Sequence, residues 1–151
     1  MRKERWIHGA VWAAIVATTL FIWSRSLQTA AISFEQSESV NGLLAALFGE
    51  AVLNDEFHMF IRKVAHFVEF AALGVEWSVA GRWLAARWRW IVCVAGPLTA
   101  ACDECLQLFS EGRSAQVSDV LLDCAGYACG LAAVWLACLL WKKIKKRDDL
   151  G

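Results

Sequence analysis

Residues 62–69 have the sequence Arg62-Lys63-Val64-Ala65-His66-Phe67-Val68-Glu69, and they lie near the start of an apolar segment, residues 57–81, that is long enough to cross a membrane. Ionisable groups in or near hydrocarbon are unfavourable unless they have a partner or a function. Residues four and seven apart share one face of a helix, so Arg62, His66 and Glu69 form one stripe with Lys63 at its edge. The stretch therefore predicts a membrane helix that carries a polar site.

The composition is that of a small membrane protein. Of the 151 residues, 58% are hydrophobic, nine are Trp and one is Pro, whereas a soluble domain of this length is less apolar. Apolar segments at about residues 7–23, 57–81, 88–109 and 119–141 have roughly the length that crosses a bilayer. We therefore predict an all-α membrane protein, a four-helix transmembrane bundle in a single domain. A cleavable signal peptide is the competing interpretation of the first segment, which is long for a signal core.

The charge distribution predicts the orientation. With the N-terminus in the cytoplasm, eleven of the fifteen Lys and Arg residues lie at inner ends of the helices, including those of a basic tail at residues 142–151. The positive-inside rule requires this asymmetry, so both termini are predicted to be cytoplasmic. Residues 40–53 are mostly apolar but too short to span easily, which indicates a short interfacial or re-entrant helix. The chain has no basic stripe typical of nucleic-acid binding.

This topology places most of the intramembrane polar residues at the outer ends of the helices. The predicted site draws on helix two, helix three, the outer loop and helix four: Arg62, Lys63, His66, Glu69, Asp103, Glu104, Gln107, Arg113, Asp119 and Asp123. On helix four, the spacing of Asp119, Asp123, Gly126 and Gly130 predicts a polar mouth above a small-residue seam, where a neighbouring helix approaches closely. An ion-pair network that only holds the bundle together is the structural alternative.

Three motifs carry most of this site: Arg62-Lys63-x-x-His66-Phe67-x-Glu69-Phe70, Asp103-Glu104-x-x-Gln107-x-x-x-x-Gly112-Arg113 and Asp119-Val120-x-x-Asp123-x-x-Gly126. Their order and spacing, with Ser24-x-Ser26 at the end of helix one, resemble the VanZ-like family. That family usually has Asn where this chain has Asp123. The resemblance implies a multi-pass protein of the bacterial inner or cytoplasmic membrane. It also implies a cell-envelope role, since the founding member is associated with resistance to the glycopeptide teicoplanin.

Two functions of different classes fit these residues. A binding protein would hold an anionic lipid-linked or phosphorylated envelope precursor among the membrane lipids, through Arg62, Lys63, Gln107, Arg113, Asp119 and Asp123. A phosphoryl-transfer or hydrolase enzyme would use His66 as proton carrier or nucleophile, with these candidate catalytic carboxylates: Glu69, Asp103 and Glu104. The carboxylates suit a divalent cation as cofactor, held by Asp103, Glu104, Asp119 and Asp123. The sequence has no recognised catalytic motif and leaves both functions open.

Overall fold

A computed structural model describes residues 2–28, 55–110 and 115–148. Within these ranges the regular elements are all helical: α1 (Arg2–Ser26), α2 (Asp55–Ala80), a 3₁₀ turn (Ala86–Trp88), α3 (Trp90–Gln107) and α4 (Val117–Asp148). The predicted all-α class and the presence of four long helices are confirmed. The predicted interfacial helix at residues 40–53 and the predicted site residue Arg113 lie outside the described residues.

α1 and α4 are longer than the predicted segments. α1 begins at Arg2 and α4 ends at Asp148, because hydropathy marks the apolar part of a helix and not its polar ends. In the last turn of α4, Lys145, Lys146 and Arg147 stabilise the helix, since cations interact favourably with the C-terminal end of the helix dipole. The predicted basic tail is therefore helical up to Asp148.

α2 and α4 form the tightest pair of helices. Gly126 of α4 lies against the backbone carbonyl of Phe67, and Gly130 lies against that of Ala71. A Cβ atom at either glycine would overlap these carbonyl oxygens. The predicted small-residue seam on α4 is therefore present, and it brings the two backbones together as small residues do in packed membrane helices.

α1 and α3 pack on this pair and complete the core. Ile22 of α1 and Phe70 of α2 are fully buried. The ring of Tyr127 lies against Gly96 of α3, and its hydroxyl donates a hydrogen bond of 2.6 Å to the Val92 carbonyl. These contacts hold α3 in place against α4, and so fix where the polar residues near its C-terminal end lie.

The outer surface of the bundle is apolar. Trp6, Leu98 and Trp135, from three different helices, are each more than 60% exposed. Two segments of the described chain are long and apolar enough to cross a membrane: Glu4–Ser26 and Val117–Asp148, whose most apolar 18-residue stretches have mean hydropathies of 1.6 and 1.8. Large apolar surfaces of this kind mark contact with a membrane or a partner. The polar residues of the predicted site lower the mean hydropathy of α2 and α3, so hydropathy alone does not mark these two helices as membrane-spanning.

Candidate functional site

Nine of the ten residues predicted for the site, all except Arg113, are described by the structure, and they converge at one end of the bundle. α1 and α3 both end there, α4 begins there, and α2 contributes the first half of its length. His66, Asp103 and Asp123, which lie on three different helices, meet in the interior, where their exposed fractions are 8%, 0% and 1%. We call these three residues the buried cluster.

The imidazole of His66 lies between two carboxylates. Its Nδ1 atom is 3.9 Å from Oδ2 of Asp103 and 3.8 Å from Oδ1 of Asp123. Both distances exceed ordinary hydrogen-bond lengths. One potential metal-ligating atom of each residue nevertheless lies within 4.8 Å of those of the other two. An imidazole beside two carboxylates in a water-poor interior suits proton transfer or the binding of a metal ion.

Asp103 is held in place from α1. The Ser26 hydroxyl donates a hydrogen bond of 2.7 Å to Oδ1 of Asp103, and both side chains are fully buried. The carbonyl of Ser26 in turn accepts a hydrogen bond of 2.8 Å from the Ser110 hydroxyl. Because Oδ1 is fixed in this way, the second oxygen of Asp103 faces His66.

Gln107 links the acidic end of α3 to α2. Its Nε2 atom donates to Oε1 of Glu104 at 2.9 Å and, more weakly, to Oδ2 of Asp103 at 3.4 Å. Its Oε1 atom accepts from Arg62 at 3.4 Å. The other oxygen of Glu104 accepts a hydrogen bond of 2.8 Å from the backbone N–H of Gln116. Glu104 is therefore occupied by two donors, and Arg62 is positioned beside it.

Two ion pairs flank the buried cluster. Lys63 of α2 lies 3.1 Å from Asp119 of α4, with exposed side-chain fractions of 41% and 20%. Glu69 of α2 lies 3.5 Å from Nε of Arg25 on α1. The carboxylates close to His66 are thus Asp103 and Asp123, while Glu69, a predicted catalytic candidate, is paired with α1.

A narrow cavity lies among these side chains, with a volume of about 10 Å³. It is lined by Leu122 and by seven of the ten predicted site residues: Arg62, Lys63, His66, Glu104, Gln107, Asp119 and Asp123. A volume of about 10–15 Å³ holds roughly one water molecule. A ligand larger than that would have to bind at the mouth of the cavity, beside Arg62 and Lys63.

A comparison with protein families shows which family the chain belongs to. A family model described as VanZ/LLP1 matches residues 11–140, a range that contains every residue of the predicted site. The chain belongs to the VanZ/LLP1 family. The resemblance inferred from the motifs is confirmed, and VanZ/LLP1 membership together with the two apolar helices indicates a membrane protein. Among curated proteins and solved structures, no match to the chain was found.

In this VanZ/LLP1 protein, α1 contributes residues that sequence reasoning did not place in the site. Arg25 and Ser26 contact Glu69 and Asp103. The Ser24-x-Ser26 motif indicated the end of helix one, but it did not indicate that Ser26 bonds to Asp103. Glu76 of α2 lies deeper in the bundle and accepts a hydrogen bond of 2.9 Å from the Thr18 hydroxyl of α1.

Proposed function

We propose that this VanZ/LLP1 protein crosses the bacterial inner or cytoplasmic membrane four times. α3 has 18 residues. At a rise of 1.5 Å per residue it is about 27 Å long, close to the ~30 Å hydrocarbon core of a bilayer. Asp103, Glu104 and Gln107 of α3 are all buried against the other helices. Burial of these polar residues lets α3 present an apolar side to lipid.

The proposed orientation has both termini in the cytoplasm and the site at the outer face. The three Arg residues between α2 and α3, and the five basic residues near the end of α4, lie at the end of the bundle opposite the site. Among the described residues, the site end has these cations: Arg25, Arg62 and Lys63. The positive-inside rule assigns the more basic end to the cytoplasm, which supports an outward-facing site.

We infer that the site binds an anionic, phosphorylated or lipid-linked group of the cell envelope. The observation that carries this inference is the pair of adjacent cations, Arg62 and Lys63, at the mouth of a buried polar site. Gln107 positions the guanidinium of Arg62, and the half-exposed ammonium of Lys63 is accessible to a ligand. Both groups bind phosphate oxygens through charge-assisted hydrogen bonds.

The size of the cavity defines how such a ligand would lie. Since the cavity holds about one water molecule, the charged headgroup stays at its mouth. A lipid chain would then extend along the exposed apolar faces of the helices. The family resemblance supports a cell-envelope role related to glycopeptide resistance, because teicoplanin resistance is associated with the founding member.

Analysis of extracted lipids tests this proposal. The full chain is purified in mild detergent, and its bound lipids are extracted and identified by mass spectrometry. We expect enrichment of a phosphorylated polyprenyl lipid over the bulk membrane lipids, and loss of that enrichment in an Arg62→Gln, Lys63→Gln double variant. Arg87→Gln, at the opposite end of the bundle, is the matched control. Equal lipid content in all three proteins would overturn the proposal.

A membrane enzyme of phosphoryl-transfer or hydrolase type is the second candidate. It is favoured by His66, whose imidazole lies between two carboxylates beside the cavity. His66 would move a proton to or from a phosphate oxygen held by the cations. Release of inorganic phosphate from a polyprenyl phosphate or diphosphate, abolished in His66→Gln, would support this function. Tight binding of the lipid by the unaltered protein without release of phosphate would contradict the enzyme and support the binding function.

A further inference from the structure

Asp123 has a buried carboxylate with no hydrogen-bond partner. Its side chain is 1% exposed, and neither Oδ1 nor Oδ2 accepts a hydrogen bond from the described residues. A carboxylate removed from water is strongly unfavourable unless a charge or a donor compensates it. Its neighbour in the interior is the His66 imidazole, with a second buried carboxylate, that of Asp103, on the other side. A cation bound beside Asp123 would compensate its carboxylate.

The other acidic residues near the cluster already have partners. Glu104 accepts hydrogen bonds from the Gln107 side chain and from the Gln116 backbone, and Asp119 is paired with Lys63. His66, Asp103 and Asp123 come from three helices, and one potential metal-ligating atom of each lies within 4.8 Å of those of the other two. Asp103 accepts hydrogen bonds from Ser26 and Gln107, whereas neither carboxylate oxygen of Asp123 has a hydrogen-bond partner among the described residues.

We propose that His66, Asp103 and Asp123 bind one divalent ion of the first transition series. A tetrahedral site with metal–ligand bonds of about 2.1 Å separates its donor atoms by about 3.4 Å. Nδ1 of His66 lies 3.9 and 3.8 Å from carboxylate oxygens of Asp103 and Asp123, and the ligating atoms of all three residues lie within 4.8 Å of one another, so side-chain movements that shorten these separations would close the site around an ion. One imidazole nitrogen with two carboxylate oxygens suits Zn²⁺ or Mn²⁺, whereas Mg²⁺ and Ca²⁺ prefer oxygen ligands alone.

The surroundings of Asp103 resemble the outer shell of a metal site. Carboxylates that bind metals are commonly held by hydrogen bonds to their second oxygen, which orient the first. The Ser26 hydroxyl does this to Asp103 at 2.7 Å. Three protein ligands leave at least one coordination position open. The open position would face the anionic group of the bound envelope lipid. This last step rests on the proposed function.

Metal titration tests the inference without any anionic ligand. The full chain is purified in detergent, stripped with a chelator, and titrated with Zn²⁺ and with Mn²⁺ by calorimetry, and its metal content is then measured by mass spectrometry. We expect about one ion per chain, with affinity reduced at least tenfold in Asp123→Asn and in His66→Gln. Asp119→Asn, one turn away on α4, is the matched control and should retain the ion.

The outcomes separate metal binding from competing explanations. If the unaltered chain binds no more metal than Asp123→Asn, the cluster is not a metal site and the inference is wrong. An equal loss in Asp119→Asn would also overturn it, because the metal would then only be attracted by clustered acids. If Asp123→Asn does not fold, Ser26→Ala is measured in its place. Loss of a hydrogen-bond donor to a metal-binding carboxylate lowers metal affinity by about 10–100-fold. An unchanged affinity in Ser26→Ala contradicts the proposed site. Lipid binding without metal binding would leave the proposed function intact.

Discussion

Ser26, the last residue of α1, donates a hydrogen bond of 2.7 Å from its hydroxyl to Oδ1 of Asp103 on α3, and both side chains are fully buried. This bond attaches the N-terminal helix to the centre of the polar site. Because Ser26 also accepts a hydrogen bond from Ser110, one serine links α1, α3 and the segment after α3.

We expect Ser26→Ala to destabilise the protein. The substitution leaves a buried carboxylate oxygen without its donor, which lowers the free energy of unfolding by about 1–3 kcal/mol. Ser24→Ala is the matched control, since the Ser24 hydroxyl is exposed and, among the described residues, donates to the Phe21 carbonyl of its own helix. Unfolding in detergent titrations, followed by Trp fluorescence, measures both variants. Equal stability of the two variants would show that the Ser26–Asp103 hydrogen bond does not contribute to the free energy of unfolding.

A second prediction concerns the seam between α2 and α4. Gly130→Ala would push a methyl group into the Ala71 carbonyl, so the two helices must separate. We expect the free energy of unfolding to fall by about 1–3 kcal/mol. Gly9→Ala is the control, because no atom of the described residues outside its own helix backbone lies within 4 Å of the added Cβ atom. At that position Ala should stabilise the helix by roughly 0.5–1 kcal/mol. The same titrations compare the two variants, and a stable Gly130→Ala protein would contradict the close packing.

The Lys63–Asp119 pair should affect binding more than stability. The pair is partly exposed, so Asp119→Asn should change the free energy of unfolding by less than about 1 kcal/mol. It also frees the ammonium of Lys63 for an anionic ligand, so we expect severalfold tighter binding of a polyprenyl phosphate. Asp148→Asn, at the other end of α4, is the control and should leave the affinity unchanged. Weaker binding in Asp119→Asn would mean that Lys63 does not act as an independent cation.

The orientation of the bundle has a direct test in intact cells. In a cysteine-free variant, Ala115→Cys before α4 should react with a membrane-impermeant maleimide added from outside. Ala85→Cys, in the connection between α2 and α3, should react only after the cells are permeabilised. Both positions are exposed, so accessibility within the protein does not limit the reaction. The reverse pattern would place the site in the cytoplasm.

Much of the site could be predicted from the spacing of residues along the helices. Arg62 and His66 fall on one stripe of α2, Asp123 and Gly126 fall on one stripe of α4, and the alternation of helix directions brings these stripes to the same end. The glycine pattern also gave the face of α4 that packs on α2. These features follow from helix geometry and need no knowledge of neighbouring side chains.

The partners of individual residues could not be predicted in the same way. α1 is apolar on all sides, so hydropathy does not show which face turns inward, and the contacts of Arg25 and Ser26 were missed. The division of the acids also depends on how the helices are rotated against one another. Glu104 reaches Gln107 and Gln116, whereas Asp103 and Asp123 face His66. Such differences arise from helix rotation and packing, which residue spacing does not define.

The central claim is that Arg62 and Lys63 form the mouth of a site for an anionic envelope lipid. Its most direct test is the affinity of the purified protein in nanodiscs for a polyprenyl phosphate, compared with the uncharged polyprenol of the same length. We predict that the phosphate binds at least tenfold more tightly than the alcohol, and that Arg62→Gln with Lys63→Gln removes this difference, since each charge-assisted hydrogen bond contributes about 1.5–3 kcal/mol. Equal affinities for phosphate and alcohol in the unaltered protein would contradict the claim.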